Sequence, residues 1–501
     1  MTPSTPSSPG DGHPSRRDFL ALAGVATLGL RSAGAVATSL PAPVDPTADS
    51  ALRLADAIRR REISSVELVD ALLARIDKVN PAINAVVQLD RDRAREAAKA
   101  ADRVRAPADR PLHGVPITIK DSFDAAGIIS TGGTWGRRAY VPGEDATVVA
   151  RLRRAGAIIL GKTNTPELTA GAETTNAVYG RTNNPYDVTR TCGGSSGGAG
   201  AIVAAGGSPF DVGTDTSGSV RLPAHFCGIA SLKPTSGRLS RAGHILGPEG
   251  TLQGITQPGP MARRVEDLTL GLHIMTGPDA RDPFVIPMPL RDPATVQLRG
   301  LRAAVFSDNG VITPVPEIMA TVSEAAAALR SAGVLMSEAR PDGIAQAAET
   351  AFAMMTGDGG ATLLRVLEQW GTDTAHSELR ASLETVKPMP VGDFTALLER
   401  MDRARAAMLP FLDRFDLIIS PVNAELAVPH GATERVYPGL SYTVVYNVAG
   451  WPAGVVRAGT SSGGLPIGVQ VIAAPWREDL VLAALSRIES ALGGWQKAPL
   501  Q

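Results

Sequence analysis

Gly193-Gly194-Ser195-Ser196-Gly197-Gly198 is followed, after an alanine-rich stretch, by Gly213-Thr214-Asp215-Thr216-Ser217-Gly218-Ser219-Val220-Arg221-Leu222-Pro223-Ala224. Composition alone would make this a flexible glycine–serine tether. Two details contradict a tether: Pro209-Phe210-Asp211-Val212, between the clusters, has strand character, and the chain from Val220 onward is apolar and ordered in pattern. Paired glycine-rich turns beside a helix and a strand suit a place where backbone must approach a ligand closely. A phosphate loop is the sharper rival, but neither GxxxxGK followed by Ser or Thr nor GxGxxG occurs here.

Acyl transfer needs a nucleophile, a proton acceptor and donors aimed at an oxyanion. The glycine-rich backbone around Ser219 can turn several N–H groups into one concavity. Histidine is the usual base, yet His13, His113, His225, His244, His273, His376 and His430 are scattered singly. A lysine can serve if burial makes it neutral. Upstream, His113-Gly114 opens the extended run Val115-Pro116-Ile117-Thr118-Ile119, which delivers Lys120-Asp121 at its end. A lysine at a strand end is ordinarily solvent-exposed, and spacing by itself leaves both readings of Lys120 standing.

Working outward, Ser64-Ser65-Val66-Glu67 reads as a capping box, with Leu68, Leu72, Leu73, Ile76 and Val79 on one helical face and Pro81 as the stop. A polar helix is expected over 92–103. Pro116 marks a strand start or an edge. Helix over 147–155 and strand over 156–160 continue an alternation that predicts an α/β layered domain. Strands are expected at 301–306, 415–420 and 465–472, with helices at 316–332 and 480–492. Residues 357–389 are the least regular stretch and a candidate lid.

The balance of charge is near neutral, at −1, and aromatic residues make up 4% of the chain. That gives neither the basic surface nor the stacking platform that a nucleic-acid partner needs. Cys192 and Cys227 lack zinc spacing and read as small packing residues, and no HExxH occurs, so no metal site is expected. At the N-terminus, Ser15-Arg16-Arg17-Asp18-Phe19-Leu20, an apolar run to Leu30 and Ala35-Val36-Ala37 read as a twin-arginine export signal over 1–37. The apolar run is short of the roughly 20 residues needed to span a bilayer, so stable membrane insertion is not expected. The destination would be the periplasm or the exterior. A proline-rich linker is expected over 38–50.

Gly193 to Gly198, Gly213 to Ala224 and Cys227-Gly228-Ile229-Ala230-Ser231-Leu232-Lys233-Pro234-Thr235 together resemble the amidase signature. His113 to Asp121 is similar to that family's upstream lysine motif, and Gly259-Pro260-Met261-Ala262-Arg263 and Gly468-Val469-Gln470 match further elements. The resemblance implies an α/β fold with a mixed central β-sheet covered by helices on both faces, occupying 51–501. It implies a Ser-Ser-Lys triad: Lys120 as base, Ser195 as bridge and Ser219 as nucleophile. It implies oxyanion amides at Thr216, Ser217, Gly218 and Ser219, with Ser196, Asp215 and Arg221 orienting the loop and the bridge. Where the family most often has two glycines before the nucleophile, this chain has Ser217-Gly218. No cofactor and no metal are implied, and the partner is a small-molecule amide.

Ser441-Tyr442-Thr443-Val444-Val445-Tyr446-Asn447 and Trp451-Pro452-Ala453-Gly454-Val455-Val456 are similar to the C-terminal region of fatty-acid-amide hydrolases. They tilt the expectation toward an apolar acyl group. A C-terminal peptide amidase or a xenobiotic amide hydrolase is the alternative. The glutaminase subunit of a tRNA-dependent amidotransferase would have to be cytoplasmic, against the export signal. A catalytically dead binding protein is disfavoured by retention of Lys120, Ser195 and Ser219.

Overall fold

Long apolar runs such as Pro466–Ala473, buried along their whole length, belong to strands covered on both faces. In the computed structural model, which describes residues 43–500, that strand lies at the middle of an eight-stranded sheet. The strand order is Leu335–Glu338, Arg302–Val305, Leu417–Pro421, Pro466–Ala473, Ala453–Thr460, Ala230–Lys233, Gln257–Ala262 and Phe210–Asp215. The first three run parallel to one another and every later pairing is antiparallel, so the sheet is mixed, as expected. Helices including Pro316–Ser331 and Glu478–Leu492 flank it.

The strand that ends at Lys120 is not part of this sheet. Pro116–Lys120 pairs in parallel with Ile158–Thr163, which pairs antiparallel with Val86–Leu89, giving a separate three-stranded sheet. Pro116 opens an edge strand, where its missing N–H leaves no ladder bond unmade. This small sheet packs across the terminal strand Phe210–Asp215 of the large one, and Thr118 Oγ1 donates to Asp211 Oδ2 over that seam at 2.6 Å.

Most local expectations hold with small shifts of boundary. The Ser64 hydroxyl accepts from the Glu67 amide while the Glu67 side chain takes the Ser64 amide, the reciprocal capping box. Pro81 does not stop the helix there. The helix runs Ser65–Ile83 and ends at Asn84 in the left-handed conformation, because a proline in the final turn removes one backbone bond without preventing closure. The stretch 357–389 contains two short helices, Ala361–Gln369 and Glu378–Leu383, following Ile344–Thr356. The readings made for residues 1–37 and for the start of the linker lie outside the described residues. Among the described residues no helix is long and apolar enough to cross a membrane.

Candidate active site

Three short elements converge where the two sheets meet. The strand Pro116–Lys120 ends with its lysine pointing into the seam. The turn Gly193–Ser196 leads into the helix Gly197–Ala204, whose glycines are required by crowding: a Cβ on Gly198 would fall 2.3 Å from the Asn164 amide. The strand Phe210–Asp215 runs into the turn Thr216–Ser219, which precedes the helix Arg221–Cys227. Backbone ties the two serine turns together, the Ser196 N–H donating to the Ser219 carbonyl at 3.1 Å.

Lys120 Nζ lies 2.7 Å from Ser195 Oγ, 3.0 Å from Ser196 Oγ and 3.0 Å from Thr214 Oγ1. Its cage is thus built of hydroxyls. Burial drives the lysine well below its ordinary range, with Asp215 and Asp211 opposing. A neutral amine satisfies such a cage, because its lone pair accepts from one hydroxyl while its two N–H groups donate to the others. Ser196 Oγ is already directed at the Thr214 carbonyl, 3.3 Å away, and so accepts from the lysine. Exposure rises outward through the three expected residues: 0% at Lys120, 1% at Ser195 and 9% at Ser219. Ser219 lines a cavity.

Asp215 shapes the turn that carries Ser219. Its carboxylate accepts from the Gly218 N–H (2.8 Å) and the Val220 N–H (3.2 Å) and takes both Arg221 Nε (3.0 Å) and Nη2 (2.9 Å). Arg221 and the hydrogen bonds around it hold that carboxyl below the usual carboxylate range despite complete burial. Of the four amides expected to face an oxyanion, that of Gly218 is therefore turned to Asp215. Gly218 has φ +129, and a Cβ there would meet Thr443 Oγ1 at 2.6 Å. Ser217 is not among the non-glycine residues with positive φ, which explains how a serine stands where two glycines are usual.

Two anchors were not singled out from sequence. Thr443 Oγ1 donates to the Ser217 carbonyl, and Asn447 Nδ2 donates to the Asp215 carbonyl (3.1 Å) and carboxylate (2.9 Å). Both lie on the helix Ser441–Val448, four residues apart and so on one face. Two polar residues four apart in a largely apolar run were the available signal. Cys192 and Cys227 are free and buried; burial pushes the Cys192 thiol up to about 12, so both are packing residues.

Ser219, Gly218 and Thr216 form one wall of a cavity of about 310 Å³. Its other walls are mostly apolar, with Leu168, Leu246, Phe352, Met355, Leu363 and Leu383 beside Thr169, Thr356 and Tyr437. Four of the six apolar residues come from the helices between 344 and 383. A more polar chamber of about 630 Å³, carrying Glu167, Glu173 and Trp135, shares Ala170, Gly171, Ala172, Leu379 and Tyr437 with it. The helical segment is fastened over these chambers. Ser377 Oγ donates to Glu167, Thr372 Oγ1 lies 2.8 Å from Thr134 Oγ1, and the His376 ring stacks on Trp135 at 4.6 Å.

Known proteins carry the same architecture. One chain of the glutamyl-tRNA(Gln) amidotransferase of Roseiflexus sp. (strain RS-1) is 35% identical over 457 residues, covering 85% of this chain and 93% of that one. Fatty-acid amide hydrolase 2-B of Danio rerio is 34% identical, covering 89% of this chain and 90% of that one. The solved structure of 6-aminohexanoate cyclic dimer hydrolase superposes with a TM-score of 0.82 at 31% identity, over 91% of this chain and 99% of that one. Fold and relatives together define a serine-dependent amidohydrolase. The chain belongs to the amidase family, whose model matches residues 67–482.

Proposed function

We propose that the protein hydrolyses an amide with an apolar acyl group, through a Ser-Ser-Lys triad and an acyl-enzyme. The observation that carries this reading is the buried Lys120 amine at 2.7 Å from Ser195 Oγ, beside a turn that presents Ser219 to a mostly apolar cavity. The neutral lysine takes the Ser195 proton as Ser195 takes that of Ser219. The Ser219 oxygen bonds to the amide carbon. The N–H groups of Thr216, Ser217 and Ser219 hold the resulting oxyanion, while Gly218 gives the turn its shape. The proton returns through Ser195 to the nitrogen, the C–N bond breaks, and the amine leaves. Water then attacks the Ser219 ester by the same relay, releasing the acid.

The acyl group lies in the cavity walled by Phe352, Met355 and Leu383, and the amine leaves toward the polar chamber. Apolar burial favours a hydrocarbon acyl portion over a charged one. The twin-arginine reading of residues 1–37 belongs to the same proposal, with export of the folded enzyme. A fluorophosphonate probe followed by peptide mass mapping tests the chemistry. The adduct is expected on Ser219, and an adduct on Ser195 would reverse the two serine roles. A panel of amides with acyl groups from acetyl to long-chain, all with one leaving amine, tests the substrate class. A preference for acetyl or for charged acyl groups would end the apolar-acyl reading.

A further inference from the structure

A second carboxylate lies behind the catalytic lysine, and the mechanism above does not use it. Thr118 and Lys120 are two residues apart on one strand and so share a face, and both are fully buried. Thr163, paired with Lys120 in register on the adjoining strand, is buried beside them. Asp211 reaches both threonines: its Oδ2 accepts from Thr118 Oγ1 at 2.6 Å and Thr163 Oγ1 at 3.1 Å. Its Oδ1 is buried and makes no hydrogen bond of ordinary geometry among the described residues.

The strand Phe210–Asp215 also abuts the lysine cage, to which Thr214 brings its hydroxyl at 3.0 Å from Nζ. Gly213, two residues beyond Asp211, has no side chain, and a Cβ there would fall 2.5 Å from Ser196 Oγ, itself a partner of Lys120. Asp211 thus sits one strand step from the cage, reaching the lysine-bearing strand through a shared threonine.

The other charges around this seam are already compensated. Asp215 is paired with Arg221, with Lys233 behind them. Asp121 accepts from the Thr131 N–H and faces Lys162 at 3.8 Å, while the Lys162 side chain alternates to the face opposite Thr163. His244 is held neutral by burial. Among the described residues Asp211 has no cationic partner of its own. Burial pushes it up to about 7, against the pull of the Thr118 and Thr163 hydroxyls, the Val212 amide and Lys120.

We propose that Asp211 is a positioning residue for amide hydrolysis: seated through Thr118 and Thr163 beneath Lys120, its carboxylate stabilises the ammonium that the lysine becomes as Ser219 attacks. Positive charge grows on Nζ only when the relay moves. The ionised form of Asp211 behind it therefore favours the transition state over the ground state, and this contribution grows as pH rises through about 7. The same charge makes the lysine a stronger base, at the expense of a smaller neutral fraction at low pH.

The role rests on Lys120 being the base, and the experiment separates the two readings. The pH profile of kcat/KM is measured for the full-length enzyme, for Asp211→Asn and for Thr118→Val. The asparagine keeps an oxygen for both threonine hydroxyls and loses only the charge. Its acidic limb should move to lower pH by about one unit. Its plateau should fall about tenfold, the rate equivalent of one pKa unit of lost ammonium stabilisation. Thr118→Val keeps the carboxylate but removes its shorter hydroxyl donor, which drives the carboxyl toward its neutral form. The limb should move the same way, and this variant decides the matter if the asparagine does not fold. An acidic limb that stays in place in the folded variants, whatever the rate, makes Asp211 a packing residue and overturns the proposal. A wild-type profile with no acidic limb, or one that survives Lys120→Ala, overturns the lysine reading instead.

Discussion

Lys120 is a residue whose side chain cannot do its proposed work in water, where an ammonium of pKa ~10.4 is almost wholly protonated at neutral pH. The fold removes it from water and gives it hydroxyls for partners. Replacement by alanine should cost roughly 10²–10⁴-fold in kcat, the range of a lost acid–base group, and should abolish the acidic limb of kcat/KM. Arginine should be equally poor, since a guanidinium stays charged. Near-normal turnover by Lys120→Arg would mean that charge alone matters and would end the relay. Gly218 makes a second test. With φ +129 and a Cβ falling only 2.6 Å from Thr443 Oγ1, Gly218→Ala should distort the turn proposed to hold the oxyanion. The expected loss is roughly 10²–10³-fold in kcat, comparable to removing one oxyanion donor. A fluorescence melting curve beside the kinetics would show whether folding, and not catalysis, had failed. The resemblance to the amidase signature, and not spacing alone, made Lys120, Ser195 and Ser219 legible as candidate residues. It did not reveal Thr214 or Asp211, because neither contact follows from order along the chain.

At the scale of elements, the turn that carries Ser219 is held by a buried ion pair. Arg221 spans Asp215, the Thr443 carbonyl, Gln470 and Asn447, so a short helix, a strand end and the helix Ser441–Val448 share one guanidinium. Breaking a buried pair by deleting one partner typically destabilises by about 3–5 kcal/mol, because the remaining charge is left uncompensated. Arg221→Ala should therefore lower the denaturant midpoint as well as activity, and an unchanged midpoint would mean that water replaces the guanidinium. The capping box at Ser64 was readable because both of its bonds join residues three apart. Helix termination at Pro81 was read one turn too early, since the ring's effect depends on how much helix remains beyond it. The strand carrying Lys120 was also readable as a strand. Its membership of a separate three-stranded sheet was not, since pairing partners are chosen by packing at long range.

Over the whole molecule, the cavity beside Ser219 is assembled from distant parts. Leu168 and the Ser219 turn meet helices from 344–383, whose part beyond 356 belongs to the stretch 357–389 that read as least regular. Phe352→Ala should enlarge the acyl end and raise kcat/KM for a longer acyl amide relative to a shorter one by at least about tenfold. An unchanged ratio would place the acyl group elsewhere. Export is testable at the same scale: lysines in place of Arg16 and Arg17 should keep the enzyme in the cytoplasm, and undiminished export would remove the signal reading. By itself the sequence determined the family, the α/β class, the three candidate site residues and the turn that carries Ser219. The family and the candidate residues follow from motifs that resemble the amidase signature, and the α/β class also from the alternation of helix and strand patterns along the chain. Only the tertiary structure decided that Lys120 is buried among hydroxyls, that Asp215 engages the Gly218 amide, that Asp211 lies behind the lysine, and that the chamber is mostly apolar. Each of these depends on which distant segments share the seam between two sheets, and burial there sets both protonation and shape.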